Sequence, residues 1–547
     1  MDRSAKKRTG AVIVAVFVLL ALAGCGSNRP AGEQPGTVNF LIEAAPTSLD
    51  PRIGTDAQSE DLDGLIFDNL LGRDTQMNVV PNLAERWEIP DPVTYIFHLR
   101  RGVKFHDGRA FTSADVKFTY ESMLSGAVKS PKRGTYELVQ SIDTPDDATV
   151  VFHLREPYSS FLWNLTSPGM GIVPQGSGTE VARHPIGTGP FRFVSAEQDE
   201  EIVLERNPNY FGEHGSASET NAYFSRYVLA SARVGAGGRD ENSSEGNIER
   251  VRFRIVPDAV VRALELRKGT ADLGGVNSLG PDTAATLAKE PGIAAEEQPG
   301  TQFAYISFNF DDPILAHREV RQAFAYATDR TSLIRYLLRG QARPASSLLP
   351  PNHWAYEPDV RQYPYDPSRA EQLFDAAGFP RGRDGVRFHI EMKTSTEESA
   401  RLLGEAVADE WKRVGVALDL RPLEYATFFS DITHGSFQIY TFRWVGGNND
   451  PDTFNYVFNS KKVPPFGANR GNYRNPMLDA LLEQQKVEMD RAKRKAILSQ
   501  IQKIIAEDEP YVNLWYPDNV CVHRDRVVDI VIPPAGDYDF LSAARVK

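Results

Sequence analysis

Two spacings of apolar residues alternate along the chain. Residues 94–105 (TYIFHLRRGVKF) alternate apolar and polar, which predicts a half-buried strand. A short apolar stretch at 38–44, the segment 148–155 and a renewed alternation at 250–256 predict further strands. His106-Asp107-Gly108-Arg109 reads as a turn. Thr112 to Asp115 then has capping-box spacing, ahead of Val116, Tyr120, Met123 and Leu124 on one helical face. Beyond residue 300 strands and helices alternate more plainly. An aromatic strand is expected at 302–310. One long helix is expected over 317–339, with Val320, Phe324, Ala327, Ile334 and Leu337 at helical spacing and Gly340 as its stop. Asp366-Pro367 opens a helix that Gly378 ends. Strands at 388–392, 416–420 and 437–442 frame two more helices, the first with Leu402, Val407, Trp411 and Val414. Asn475-Pro476 opens a helical region to about residue 506, and 511–522 returns to strand.

Strand–helix alternation in two blocks predicts two α/β lobes, with the β-rich segment 80–185 as a third unit. No period of 20–50 residues repeats. The stretch 212–246 is rich in Gly, Ser and Glu and reads as an exposed loop insertion.

The length of 547 residues accommodates about three domains at ~100–200 residues each. A net charge of −12 argues against a nucleic-acid surface, so the basic run Arg491 to Lys495 is read as a solvated helix face. The leader adds an address. Arg3, Lys6, Lys7 and Arg8 precede an apolar run at 11–23, too short to span a bilayer, which needs ~20 residues. It ends Leu22-Ala23-Gly24-Cys25, so Cys25 is the candidate lipidation site of a lipoprotein signal. Cleavage before Cys25 removes four Lys/Arg and one Asp, which takes the net charge from −12 to −15. Residues 26–36 have tether composition. Cys521, the only other cysteine, sits in Val520-Cys521-Val522 and is expected to be buried and inert.

Enzyme signatures are missing. There is no Gly-x-Ser-x-Gly, no zincin His-Glu pair, no P-loop and no Gly-x-Gly-x-x-Gly. His106-Asp107 lies in a tight turn, and Gly187-Thr188-Gly189-Pro190 reads as a rigid turn, since its Pro lacks an N–H. No catalytic residue, cofactor or metal site is expected.

Several stretches, in order, closely resemble one family. They are Leu83-Ala-Glu-Arg-Trp-Glu88, Tyr95-Ile-Phe-His-Leu-Arg-Arg-Gly-Val-Lys-Phe-His-Asp-Gly108, Phe111-Thr-Ser-Ala-Asp-Val116, Pro185-Ile-Gly-Thr-Gly-Pro-Phe191, Arg206-Asn-Pro-Asn-Tyr-Phe211, Val320-Arg-Gln-Ala-Phe-Ala-Tyr-Ala-Thr-Asp-Arg330, Trp411-Lys-Arg-Val-Gly415 and Asn472-Tyr-Arg-Asn-Pro476. The resemblance is to the bacterial extracellular solute-binding family 5, the dipeptide- and oligopeptide-type binding proteins of ABC importers. It implies an α/β fold of two lobes of the periplasmic-binding-protein-like (type II) kind, joined by hinge-crossing strands, with an additional α+β domain in lobe I. The implied division is leader 1–24, tether 25–36, lobe I at 37–80, extra domain 81–185, lobe I again at 186–298, lobe II at 299–508 and lobe I at 509–547.

The resemblance further implies a lipid-anchored receptor on the extracytoplasmic or periplasmic face of a bacterial membrane. Its partners would be the ABC permease subunits and a small, peptide-like solute. It would be a monomer, touching the membrane only through its anchor. In the peptide binders of this family an Asp after a lobe II strand holds the peptide amino group. Here Gly447 aligns at that position, within Arg443-Trp444-Val-Gly-Gly-Asn448-Asn449-Asp450. Asn448 and Asn449 offer neutral amides to a ligand or merely shape the loop. Asp450 is the nearest acid, and Trp444 is a candidate stacking surface. Tyr305 and Ser307 share one parity of the strand expected to cross the hinge and are candidate contacts. Lys393 ends a strand near where peptide binders place a cation, and Thr47 and Ser48 follow the first strand. The alternatives are a non-peptide solute (oligosaccharide, amino-acid conjugate or metal chelate), an extracellular hydrolase, or a sensor or scaffold that does not transport.

Overall fold

The computed structural model describes residues 36–74, 76–167, 169–212, 246–444 and 450–547. The leader with Cys25, most of the 212–246 insertion, and Gly447, Asn448 and Asn449 lie outside the described residues.

One hydrogen-bonded path of strands runs through the molecule, and its middle member is the strand Tyr511–Arg524. This crossing strand serves two sheets. Its first half pairs with Phe303–Phe308, with Ala304 opposite Trp515 and Ser307 opposite Tyr511. Its second half pairs with Ile293–Pro299, with Ile293 opposite Arg524 and Pro299 opposite Asp518. The two lobes therefore share a backbone, and residues 299–303 and 515–518 are where it passes from one to the other.

In the first lobe Thr37–Ile42 is buried at every position and lies parallel to Arg250–Ile255, with the polar Thr37 and Asn39 buried among Val38, Phe40, Leu41 and Ile42 because both faces are covered. The hairpin Phe191–Glu197 and Glu201–Arg206 extends this sheet. A separate antiparallel sheet holds Ala84–Asp91, Thr94–Leu99, Thr149–Leu154 and Val139–Asp146. Tyr95, Phe97 and Leu99 point inward, as alternation predicts. They meet the helix Ser113–Leu124, whose capping box forms with Thr112 N donating to Asp115 at 2.7 Å.

In the second lobe Val416–Leu423, Phe388–Ser395, Ile439–Trp444 and Phe303–Phe308 lie side by side. One face carries a core around Trp411, whose ring meets Phe324 at 4.2 Å. The other packs on Tyr425–Thr433, Thr453–Phe458, Pro476–Val487 and Arg491–Asp508.

Some expected bounds are corrected. The single helix over 317–339 is two, Arg318–Ala327 and Arg330–Leu337. The Thr328 hydroxyl turns back to Phe324 O and accepts from Trp411 Nε1, while Asp329 accepts from Ser332 N and starts a new helix. The strand at 94–105 stops at Leu99, because Arg100 N bonds Leu83 O and Gly102 takes φ +80.

The 187–190 turn owes its glycines to close approach. A Cβ on Gly187 would sit 2.0 Å from Ile66 O. His106 braces the same turn. Its Nε2 meets Gly189 O at 3.1 Å, and its Nδ1 accepts from Gly187 N at 3.3 Å. Burial pulls its pKa down to about 4, so the ring is neutral. Cys521 is fully buried, its thiol 3.3 Å from Gly274 O and pushed up to about 12 by burial.

Candidate ligand-binding cleft

The lobes meet again at a seam away from the crossing strand. On one side is the loop 158–160, ahead of the short helix Phe161–Asn164. On the other are Asp450, Asp452 and the helices Pro476–Val487 and Arg491–Asp508. Ser160 Oγ donates to Asp450 Oδ1 at 2.6 Å, and Arg494 Nη2 reaches Ser160 Oγ at 3.1 Å and Asp450 Oδ1 at 3.3 Å. Gln485 donates to Asp452 Oδ1 at 2.6 Å and accepts from Arg494. Ser159 N donates to Lys486 O at 2.9 Å, and Lys486 pairs with Glu156 at 3.2 Å. Burial, with the Asp450 charge next, pushes Asp452 up to about 6 against the pull of Arg494.

Beside this seam, where Ile439–Trp444 ends, aromatic rings surround a guanidinium. Arg470 lies 5.3 Å from the Trp444 ring, 5.5 Å from Phe429 and 5.8 Å from Phe442. Tyr305 stacks on Tyr511 at 4.2 Å and on Trp444 at 6.2 Å, and its Oη is 3.5 Å from Arg470 Nη1. The loop holding Arg470 is braced. Asn469 bonds Asn459 O, Tyr473 O and Tyr473 N, and a Cβ on Gly471 would sit 2.2 Å from Phe308 O. Phe429, Tyr425 and Tyr456 are exposed around it.

The structure sorts the expected contact residues. Trp444 and Tyr305 are brought together at the cage, with Tyr305 fully buried. Ser307 is fully buried too, its hydroxyl without a partner. The Lys393 ammonium is taken by Asp431 at 2.8 Å and by Ser436 O, so it is not a free cation. Asp450 serves the seam, its Oδ1 accepting from Ser160, Arg494 and Asp452 N. Thr47 and Ser48 form a knot with Asp56 and Ser59 at the start of the helix Ala57–Ile66. Arg470, Phe429, Phe442, Arg494 and Ser160 were not foreseen. Only the exposed aromatics of 425–429 left a sequence signal that could have found part of this group.

Two α/β lobes on a shared crossing strand, meeting again at a polar seam, define a hinged, two-lobed binding protein. The chain belongs to the bacterial extracellular solute-binding proteins. Residues 78–464 match the family described as "Bacterial extracellular solute-binding proteins, family 5 Middle". It is similar to the dipeptide-binding protein of Escherichia coli strain K12, 26% identical over 542 residues that cover 93% of this chain and 95% of that one. It is also similar to heme-binding protein A of Haemophilus influenzae, 28% identical over 492 residues, 84% of this chain and 83% of that one. The substrate-binding protein CtaP of Listeria monocytogenes shares the fold with a TM-score of 0.79 at 24% identity, over 94% of this chain and 100% of that one. The fold is that of the type II periplasmic binding proteins. Among the described residues no helix is long and apolar enough to cross a membrane, and no cluster of His, Cys, Asp or Glu could hold a metal ion.

Proposed function

We propose that this protein is the lipid-anchored, substrate-binding subunit of an ABC importer, that it captures a peptide-like solute between its lobes, and that it hands the solute to a permease. The observation that carries the reading is the near full-length match to a dipeptide-binding relative, together with a crossing strand about which two lobes can close. The division into lobe I, extra domain and lobe II at the boundaries given above is part of this proposal, as are the monomeric state and the absence of catalysis. A second reading, a non-peptide solute, is favoured by the commitment of Asp450 and Asp452 to the seam. Among the described residues no other acid but Glu156, which pairs with Lys486, stands at the seam to hold a peptide ammonium, and a buried ammonium without a carboxylate costs several kcal/mol.

The test is native mass spectrometry of the exported protein released in mild detergent. A peptide ladder lost on denaturation supports the first reading, a single non-peptide mass supports the second, and a bare protein that no peptide or organic-acid library shifts thermally sinks both. For the anchor, Cys25→Ala is expected to move the protein from the membrane fraction to the soluble extracytoplasmic fraction. An unchanged membrane fraction would mean that something other than Cys25 holds it there.

A further inference from the structure

We infer that Arg470 is the floor of an anion subsite, and that the captured solute presents a carboxylate to it. The inference rests on the receptor reading above and deepens it by naming the charge of the ligand.

The argument begins with how this chain treats its other sequestered guanidinium groups. Arg52 is matched by Asp50 and by carbonyls, and Arg494 by Asp450 and Gln485. Arg321 donates to the carbonyls of Leu315, Ala316, Asp508 and Glu509. Arg262 donates to those of Val256, Pro257 and Ser278. A guanidinium has five N–H donors and no acceptor, and each of these four groups meets several carboxylate, amide or carbonyl oxygens, although Arg262 Nε stays without a partner. Arg470 is the exception, because it has no carboxylate and no carbonyl among the described residues. Its side-chain partners there are phenols, Tyr305 Oη at 3.5 Å and the neighbouring Tyr440, and its Nε is buried with no partner. Trp444 Nε1, on the ring beside it, is a second buried donor with no partner.

Among the described residues no carboxylate faces the cage, and the groups that act on Arg470 are the phenols of Tyr440, Tyr305 and Tyr511. Burial raises the phenols of Tyr305 and Tyr511 well above their ordinary value, so these two are neutral. No described Asp or Glu pairs with Arg470, and residues 445–449 (Val-Gly-Gly-Asn-Asn) contain no acid. A cation lined by ring faces and short of acceptors is complementary to an anion that brings its own oxygens. A carboxylate fits better than a phosphate. It is planar, matches one guanidinium in a two-point contact, and carries one charge, whereas among the described residues no second cation stands over the rings of Trp444, Phe429 and Phe442. The rings of Phe429, Phe442 and Trp444 would flank the apolar part of the same molecule.

A peptide and a free organic acid can both present that group, so the test separates them. Calorimetry on the full exported protein at low salt would compare Ala-Ala-Phe with its C-terminal amide, and 3-phenylpropionate with its amide. Each acid that binds is expected to do so at least tenfold more tightly than its amide. In Arg470→Met the ratio should fall to about one while amide affinity stays, and Arg470→Lys should keep part of it. Preference in the peptide pair alone identifies a peptide carboxylate, and preference in the other pair an organic acid. Equal binding of acid and amide by the wild type overturns the subsite but not the receptor. A ratio that persists in Arg470→Met, shown folded by its thermal melt, does the same. Binding of none of the four probes, with no adduct in native mass spectra, overturns both.

Discussion

Asp50→Asn is expected to cost about 3–5 kcal/mol of folding stability, the range for breaking a buried ion pair from one side. Asp50 and Arg52 have no exposed side-chain surface, and their shortest contact is 2.7 Å. Asp50 Oδ1 also accepts from Arg52 Nε at 2.9 Å and Arg52 N at 3.0 Å. Arg52 then reaches Ser122 at 3.3 Å and Gly178 O at 2.9 Å, tying the loop after the first strand to the helix Ser113–Leu124 and to the 177–178 turn. Asn keeps the volume and removes the charge, so the guanidinium is left buried and uncompensated. The double variant Asp50→Asn/Arg52→Met should recover part of the loss, because it removes the stranded charge as well. Urea unfolding of the first lobe measures both. A single-variant loss under about 1 kcal/mol, or a double variant worse than the single, would mean that the carbonyls alone satisfy Arg52.

What the sequence disclosed and what it withheld divides along the range of the interactions. Thr37–Ile42, Thr94–Leu99 and the capping box at Thr112 are set by neighbours a few residues away, and the pattern announced them. Ala84–Asp91 and Ile293–Pro299 did not announce themselves. Their residues are largely exposed or half-buried, so the apolar alternation that marks a strand is weak. The helix break at Thr328 depends on Trp411, a residue 83 positions away. The site follows the same rule. Trp444 and Tyr305 could be picked as aromatic residues on strands with the right parity. Lys393 and Asp450 looked like free charges, because their partners Asp431 and Arg494 lie 38 and 44 residues away. Arg470 was one arginine among many, since what sets it apart is the lack of a carboxylate or carbonyl acceptor, and only coordinates display that.

Arg494→Met is expected to open the seam and to weaken solute binding by about two orders of magnitude. The side chains of Arg494 and Asp450 are nearly buried, and loss of the cation leaves Asp450 facing Asp452 with only hydroxyl and amide donors. Breaking such a pair costs about 3–5 kcal/mol when fully buried. Even half of that, charged against closure, is more than tenfold in affinity, because 1.4 kcal/mol is a factor of ten. The effect should depend on pH, and the sign follows from Asp452. Its pKa is about 6 in the folded protein against an ordinary 3.8, so the folded form holds the proton longer. The stability that Asp452 contributes is therefore present below about 4 and is lost as pH rises to about 6. Tyr158 covers Asp452 from across the seam at 3.5 Å, so in the wild type closure should weaken across that window by the share of the burial that the seam supplies, and level off above it. Arg494→Met removes the charge that pulls Asp452 down, so the loss should run on above pH 6. Calorimetric affinity at pH 5, 6, 7 and 8, with the radius of gyration from solution scattering on the same samples, reads both quantities. Equal affinities and radii in the two proteins at every pH would show that the seam is a passive contact and that closure is set at the crossing strand alone.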